Sequence, residues 1–150
     1  MADVFSKSQR SALMARIRGR GNEATELALA RLLRSEGITG WRRHTALFGR
    51  PDFAFCRARS VIFVDGCFWH GCPRCYCRPR SNRKFWDGKL RRNRARDRLV
   101  NRMLRAAGWM VLRIWEHELR DPAGLLPRLR RLAAVPATRP RARPSPRMRR

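Results

Sequence analysis

Ser60-Val61-Ile62-Phe63-Val64-Asp65-Gly66-Cys67-Phe68-Trp69-His70-Gly71-Cys72-Pro73-Arg74-Cys75 is the stretch on which the fold turns. Residues 60–64 read as a central strand buried on both faces, because the run is almost continuously apolar and rich in β-branched side chains. Asp65-Gly66 ends it, and the cysteine-rich segment 66–80 follows as a loop that must be pinned by something other than a core. Upstream, Asp52-Phe53-Ala54-Phe55-Cys56 is a second short apolar run, with Cys56 read as a small core residue on that strand. The polar Arg57-Ala58-Arg59 between the runs predicts a hairpin.

Farther out, the pattern turns helical. Ser81 or Asn82 opens a long helix to Ala107 that Gly108 closes, with Leu99, Val100, Met103 and Leu104 as its core face and Gly88 marking a break. Trp109 to Trp115 reads as another central strand, and Asp121-Pro122 caps a last helix carrying Leu125, Leu126, Leu129 and Leu132. On the N-terminal side, Asn22 caps a helix to about Glu36, stopped by Gly37, with an apolar face of Ala28, Leu29, Leu32 and Leu33. Trp41 to Phe48 is expected as a strand leading into the turn Gly49-Arg50-Pro51. The sum is an α/β fold: a mixed β-sheet flanked by helices.

Three segments are expected. Residues 1–21 form a basic arm or short helix, with Leu13, Met14 and Ile17 at helical spacing, and residues 22–133 form the folded domain. Residues 134–150 form a disordered tail, since Pro136 to Arg150 holds four prolines, six arginines and no acid. The 150 residues, 43% of them hydrophobic, suffice for one compact domain with a real core. No apolar run approaches the roughly 20 residues of a membrane span, and the first twenty residues lack the apolar stretch of a secretory signal. A cytoplasmic, nucleoid-associated protein is therefore expected.

Charge narrows the function. There are 36 Lys+Arg against 11 Asp+Glu, a net of +25, and only Lys7, Lys84 and Lys89 are lysines. Such self-repulsion is relieved by a polyanion, and arginine forks suit phosphates and guanine edges. Base composition of the gene accounts for part of the Arg:Lys ratio, but it does not remove acids, so nucleic-acid binding is favoured.

Two constellations carry chemistry. Cys67, Cys72 and Cys75 have the spacing C-x4-C-x2-C, and the knuckle Cys72-Pro73-Arg74-Cys75 lets two thiolates reach one tetrahedral Zn²⁺. The fourth ligand is either Cys77 or His117; His117 is preferred because it would staple the loop to the sheet. In the second constellation, antiparallel pairing places Asp52 at a strand start beside Asp65 at its neighbour's end. With Glu26 from the first helix these carboxylates suit Mg²⁺, which phosphodiester hydrolysis requires. His70 lies close in sequence and has a pKa suited to taking a proton from water. Phe68 and Trp69 beside it either wedge between base pairs or cap the loop's own small core, and Trp86 is most simply a helix core residue.

Together, Gly49-Arg50-Pro51-Asp52-Phe53, residues 61–73, Phe85-Trp86 and Gly108-Trp109-x-Val111-Leu112-x-x-Trp115-Glu116 resemble the very-short-patch repair (Vsr) endonucleases, over about residues 1–132. The resemblance implies a restriction-endonuclease-like fold with a structural zinc site. It also implies a nickase that cuts 5′ to the T of T·G pairs arising by deamination of 5-methylcytosine. Carried over, Asp52 holds catalytic Mg²⁺ with Asp65 as a further candidate ligand, His70 is the general base, and Glu26 supports the metal waters. Phe68, Trp69 and Trp86 intercalate beside the mismatch, and Cys67, Cys72, Cys75 and His117 bind zinc.

Three positions depart from the pattern. Cys67 stands where the wider nuclease superfamily has a lysine, so that role passes to His70. Asp65 stands where some members have a histidine, and the segment between His70 and Cys75 is one residue longer than in some. The expected partners are duplex DNA with a T·G mismatch and downstream mismatch-repair proteins, with the enzyme a monomer. Two competing readings are a non-catalytic zinc-dependent DNA-binding protein and a restriction-type nuclease on matched DNA.

Overall fold

A computed structural model describes residues 23–134 and the isolated Ser8. The basic arm, the Asn22 cap and nearly all of the tail lie outside the described residues. A π-helical turn, Glu23–Leu27, runs into helix α1, Ala28–Ser35, which ends at Gly37 with φ +64°. Strands β1 (Arg42–Arg43), β2 (Phe53–Phe55) and β3 (Ser60–Asp65) follow. The one-turn helix α2 (Cys67–His70) and the 24-residue helix α3 (Arg83–Ala106) lead to β4, Met110–Trp115. Two short 3₁₀ turns then precede helix α4, Leu126–Ala133.

The sheet has the order β1-β2-β3-β4. β1, β2 and β3 pair antiparallel, while β3 and β4 run parallel, with Asp65 opposite Trp115 and Phe63 opposite Arg113. The parallel pair requires a crossover, which α3 supplies. Alternation along the strands sorts the side chains into two cores. On one face Phe53, Phe55, Ile62 and Ile114 pack with Leu29 and Leu33 of α1 and Leu129 of α4. On the other, Ala54, Val61 and Phe63 pack with Val100 and Leu104 of α3. Burying Leu29 and Leu33 contributes roughly 1.5–3 kcal/mol each, which fixes α1 and with it Glu26.

Several expectations are corrected. The strand expected over 41–48 is only Arg42–Arg43, because His44 takes φ +54° and breaks the extended backbone. Cys56 is exposed and opens the β2–β3 turn instead of lying in the strand core. Gly88 does not interrupt α3. Leu99 and Met103 are exposed, since each lies one residue, about 100° of helix rotation, away from the buried stripe of Val100 and Leu104. Among the described residues β4 is an edge strand of the sheet, although α3 and α4 screen its faces.

Candidate active site and metal-binding cluster

The hairpin delivers the first acid. Asp52 sits just before β2, its amide donating to the Ile62 carbonyl at 3.0 Å and its Oδ2 accepting the Val64 amide at 2.8 Å. Asp52 and Glu26 line one polar pocket of about 210 Å³ with His44, Thr45, Gly49 and Arg96. Burial pushes the Asp52 carboxyl up to about 6, opposed by the Val64 amide and reinforced by the nearby Glu26 and Asp65 charges. Glu26 is buried, and its Oε1 accepts from Arg43 Nε at 2.8 Å, with His44 Nε2 at 3.4 Å. Thr45 Oγ1 is buried without a hydrogen-bond partner among the described residues. Carboxylate oxygens and an orphaned hydroxyl around a polar pocket are the donor chemistry that Mg²⁺ takes, so these residues fit that ion.

Asp65 ends β3 on the α3 side of the sheet and joins a different set. Its Oδ1 lies 2.6 Å from Arg113 Nη1 and 3.8 Å from His70 Nδ1. His70 Nδ1 lies 2.6 Å from Asp97 Oδ2 on α3. Ligand atoms of Asp65, His70 and Asp97 all fall within 4.8 Å of one another. Burial lifts the Asp65 carboxyl, held back by Arg113 and His70. For His70, burial works against protonation, yet the Asp97 hydrogen bond and the Asp65 and Asp97 charges raise it above its ordinary value. Asp97 lies below the ordinary carboxylate range, since the His70 and Arg113 interactions outweigh its burial.

Helix α3 also holds the turn that carries His70. Asn93 Nδ2 donates to the Trp69 carbonyl at 2.8 Å, and Arg94 Nη2 to the Gly71 carbonyl at 2.9 Å. Gly71 takes φ +67°, and a Cβ there would lie 2.8 Å from Leu90 Cδ1 and 2.6 Å from Arg94 Nη2. A side chain at that position would strain the left-handed backbone and force the ends of the Leu90 and Arg94 side chains to move.

On the same turn, Phe68 packs edge-to-face on Trp69 at 5.3 Å and on Trp86 at 5.2 Å, with Trp69 and Trp86 6.0 Å apart. Tyr76 and Phe85 extend the cluster, and Lys89 Nζ lies 5.1 Å from the centre of the Trp69 ring. None of the three expected intercalating residues is buried, and Phe85 is 56% exposed. Trp86 thus belongs to a surface aromatic cluster and not to a helix core.

Sulfur and imidazole converge at the far end of the turn. Cys67, Cys72, Cys75 and His117 place their ligand atoms within 4.8 Å of one another. Cys67 Sγ and Cys72 Sγ are 3.3 and 3.5 Å from His117 Nδ1. Cys77 is exposed and outside this group. Burial and the neighbouring thiols push Cys67 up to about 11, against a hydrogen bond from His117. Three thiols and one imidazole at this spacing fit tetrahedral Zn²⁺, whose charge would offset the repulsion among thiolates.

Sequence reasoning left Asp97, Arg113, Asn93 and Thr45 without roles. Asp97 had a visible signal: it is one of two acids on α3 and lies at helical spacing between Asn93 and Asn101. A larger groove of about 540 Å³, along Arg105, Trp109, Met110, Arg128 and Leu132, holds none of these acids.

Known proteins resemble this chain over most of its length. Residues 2–76 match the family described as DNA mismatch endonuclease Vsr. The DNA mismatch endonuclease Vsr of Escherichia coli (strain K12) is 42% identical over 122 residues, 80% of this chain and 77% of its own length. The type II nicking enzyme V.XorIIP of Xanthomonas oryzae pv. oryzae is 39% identical over 136 residues, 88% of this chain and 97% of its own. The type II nicking enzyme V.NaeI of Lentzea aerocolonigenes is 52% identical over 69 residues, 46% of this chain and 42% of its own. The chain belongs to the Vsr family and is a DNA endonuclease.

Proposed function

We propose that this endonuclease nicks duplex DNA on the 5′ side of the T in a T·G mismatch, in an Mg²⁺-dependent reaction. The observation that carries the reading is the shared turn: Phe68 and Trp69 precede His70 on α2, and Trp86 packs against them. Wherever the aromatic wedge enters the duplex, the proton acceptor arrives with it. A mismatched step costs less to unstack, so insertion favours it over paired DNA.

Asp52 would hold Mg²⁺ in the pocket it shares with Glu26, whose carboxylate would accept from metal-bound waters. Mg²⁺ held there would supply positive charge near the scissile phosphate and would make the attacking water more acidic. His70 donates from Nδ1 to Asp97, which leaves Nε2 to accept the proton of that water. Asp97 holds the ring in that tautomer. Cys67, Cys72, Cys75 and His117 would hold Zn²⁺, tying the wedge turn to the end of β4. Arginines outside the site contact phosphates and position the duplex without reading sequence.

Trp69→Ala tests the coupling of wedge and chemistry. It should reduce the preference for T·G over C·G duplexes at least tenfold, while Asp52→Ala abolishes nicking and keeps mismatch binding. An unchanged preference in Trp69→Ala would overturn the wedge, and equal loss of binding in Asp52→Ala would overturn its catalytic role.

A further inference from the structure

Arg113 is a charged residue in the middle of an otherwise apolar strand, Met110-Val111-Leu112-Arg113-Ile114-Trp115. A break of the local pattern of this kind calls for a partner set that justifies it. The set is complete. Nη1 lies 2.6 Å from Asp65 Oδ1, Nη2 lies 3.2 Å from Asp97 Oδ1, and Nε donates to Asn101 Oδ1 at 2.9 Å. The guanidinium carbon stands 4.5 Å from the centre of the Phe63 ring. The side chain is 18% exposed. It is a cation fixed from four directions, on elements that the sheet register and α3 already hold.

Its two carboxylate partners are the two that flank His70. Asp65, His70 and Asp97 by themselves have the donor types and spacing of a divalent-cation site. Their negative charge is already met by a guanidinium that shares Asp65 Oδ1 with His70 and grips the far oxygen of Asp97. A second cation entering that trio would face Arg113 at close range in a half-buried site, where like charges repel strongly.

We infer that Arg113 is a positioning residue that fills the place of a metal ion beside His70. It keeps Asp65 out of metal coordination and aims Asp97 Oδ2 at His70 Nδ1. The divalent ion then binds on the Asp52 side alone. This assignment rests on the reading of Asp52 as the Mg²⁺ ligand and His70 as the base.

Zinc-replete protein titrated with Mn²⁺, with bound ions counted by electron paramagnetic resonance, tests it directly. Wild type and Asp65→Asn should bind the same number of ions. Arg113→Gln should gain one, and Asp65→Asn/Arg113→Gln should lose it again. In single-turnover nicking of a T·G duplex, Arg113→Gln should slow the rate at saturating enzyme at least tenfold with duplex affinity unchanged. Arg113→Lys should fall between, since a point charge reaches Asp65 but cannot fork to Asp97 and Asn101. A lower ion count in Asp65→Asn than in wild type would overturn the assignment, as would an Arg113→Gln count equal to wild type. If Arg113→Gln does not fold, a lower ion count in Asp65→Asn or a nicking rate in Arg113→Lys equal to wild type still overturns the assignment. If wild type fails to nick T·G duplexes, the functional reading falls while the ion counts still judge Arg113.

Discussion

His70 and Asp97, 27 residues apart in the chain, meet at 2.6 Å between Nδ1 and Oδ2. The contact joins the one-turn helix after β3 to the middle of the crossover helix, and it decides which imidazole nitrogen is free to act. Asp97→Asn replaces the acceptor with a group that can present a donor to Nδ1, favouring the wrong tautomer. Nicking at saturating enzyme should fall on the order of 10²-fold, with mismatch affinity retained. Rapid-quench assays beside binding titrations separate the two.

Asp52 should show a stability cost that depends on pH. Its carboxyl is raised by burial from 3.8 to about 6 in the folded protein. A raised acid binds protons more tightly when folded, so the charged form costs stability above pH 6, and the cost is gone below the unfolded value. Two units correspond to about 2–3 kcal/mol. Metal-free Asp52→Asn should therefore melt higher than wild type at pH 8, with the gap shrinking from pH 6 towards pH 4. The Val64 amide keeps an acceptor in Asn. Thermal melts across that range check it, and Mg²⁺ should narrow the gap at pH 8 by binding only the carboxylate.

Cys72→Ser should destabilise the whole domain, since the zinc ion proposed at the thiol cluster would contribute folding energy outright. Cys77→Ser should leave the melting temperature and the zinc content unchanged, because Cys77 lies outside the ligand group. Metal analysis of the purified variants together with thermal melts distinguishes the two cysteines. Zinc retained at full occupancy in Cys72→Ser would remove that residue from the ligands.

Gly49 should tolerate no side chain. It takes φ +77°, and a Cβ would stand 2.3 Å from Val100 Cγ1 in the core under α3. Gly49→Ala should cost about 1–3 kcal/mol through overpacking, added to the strain of its backbone. Urea denaturation with an unchanged slope would report that loss.

Much of this was legible in the sequence, for local reasons. The β-branched run at 61–64, the closing glycines at 37 and 108 and the hairpin at 57–59 each follow from residues within one element. The pairing of Asp52 with the end of β3 followed from antiparallel geometry. What escaped reading depends on contacts between distant segments. The stripe of α3 that faces the rest of the fold runs Asn93, Asp97, Val100, Leu104, polar in its first half and apolar in its second. Apolar periodicity alone therefore adds the exposed Leu99 and Met103 to the buried Val100 and Leu104 and passes over Asn93 and Asp97. Arg113 was hidden because a strand arginine declares its role only when Asp65 and Asp97 are seen beside it.

The most direct measurement is a Mg²⁺-dependent nicking assay on labelled duplexes that differ in a single T·G or C·G pair, across several cytosine-methylation contexts. One nick is expected, 5′ to the mismatched T, lost on addition of EDTA and absent from the matched duplex. Cleavage of both duplexes alike would contradict this and mark a nuclease that acts on paired DNA.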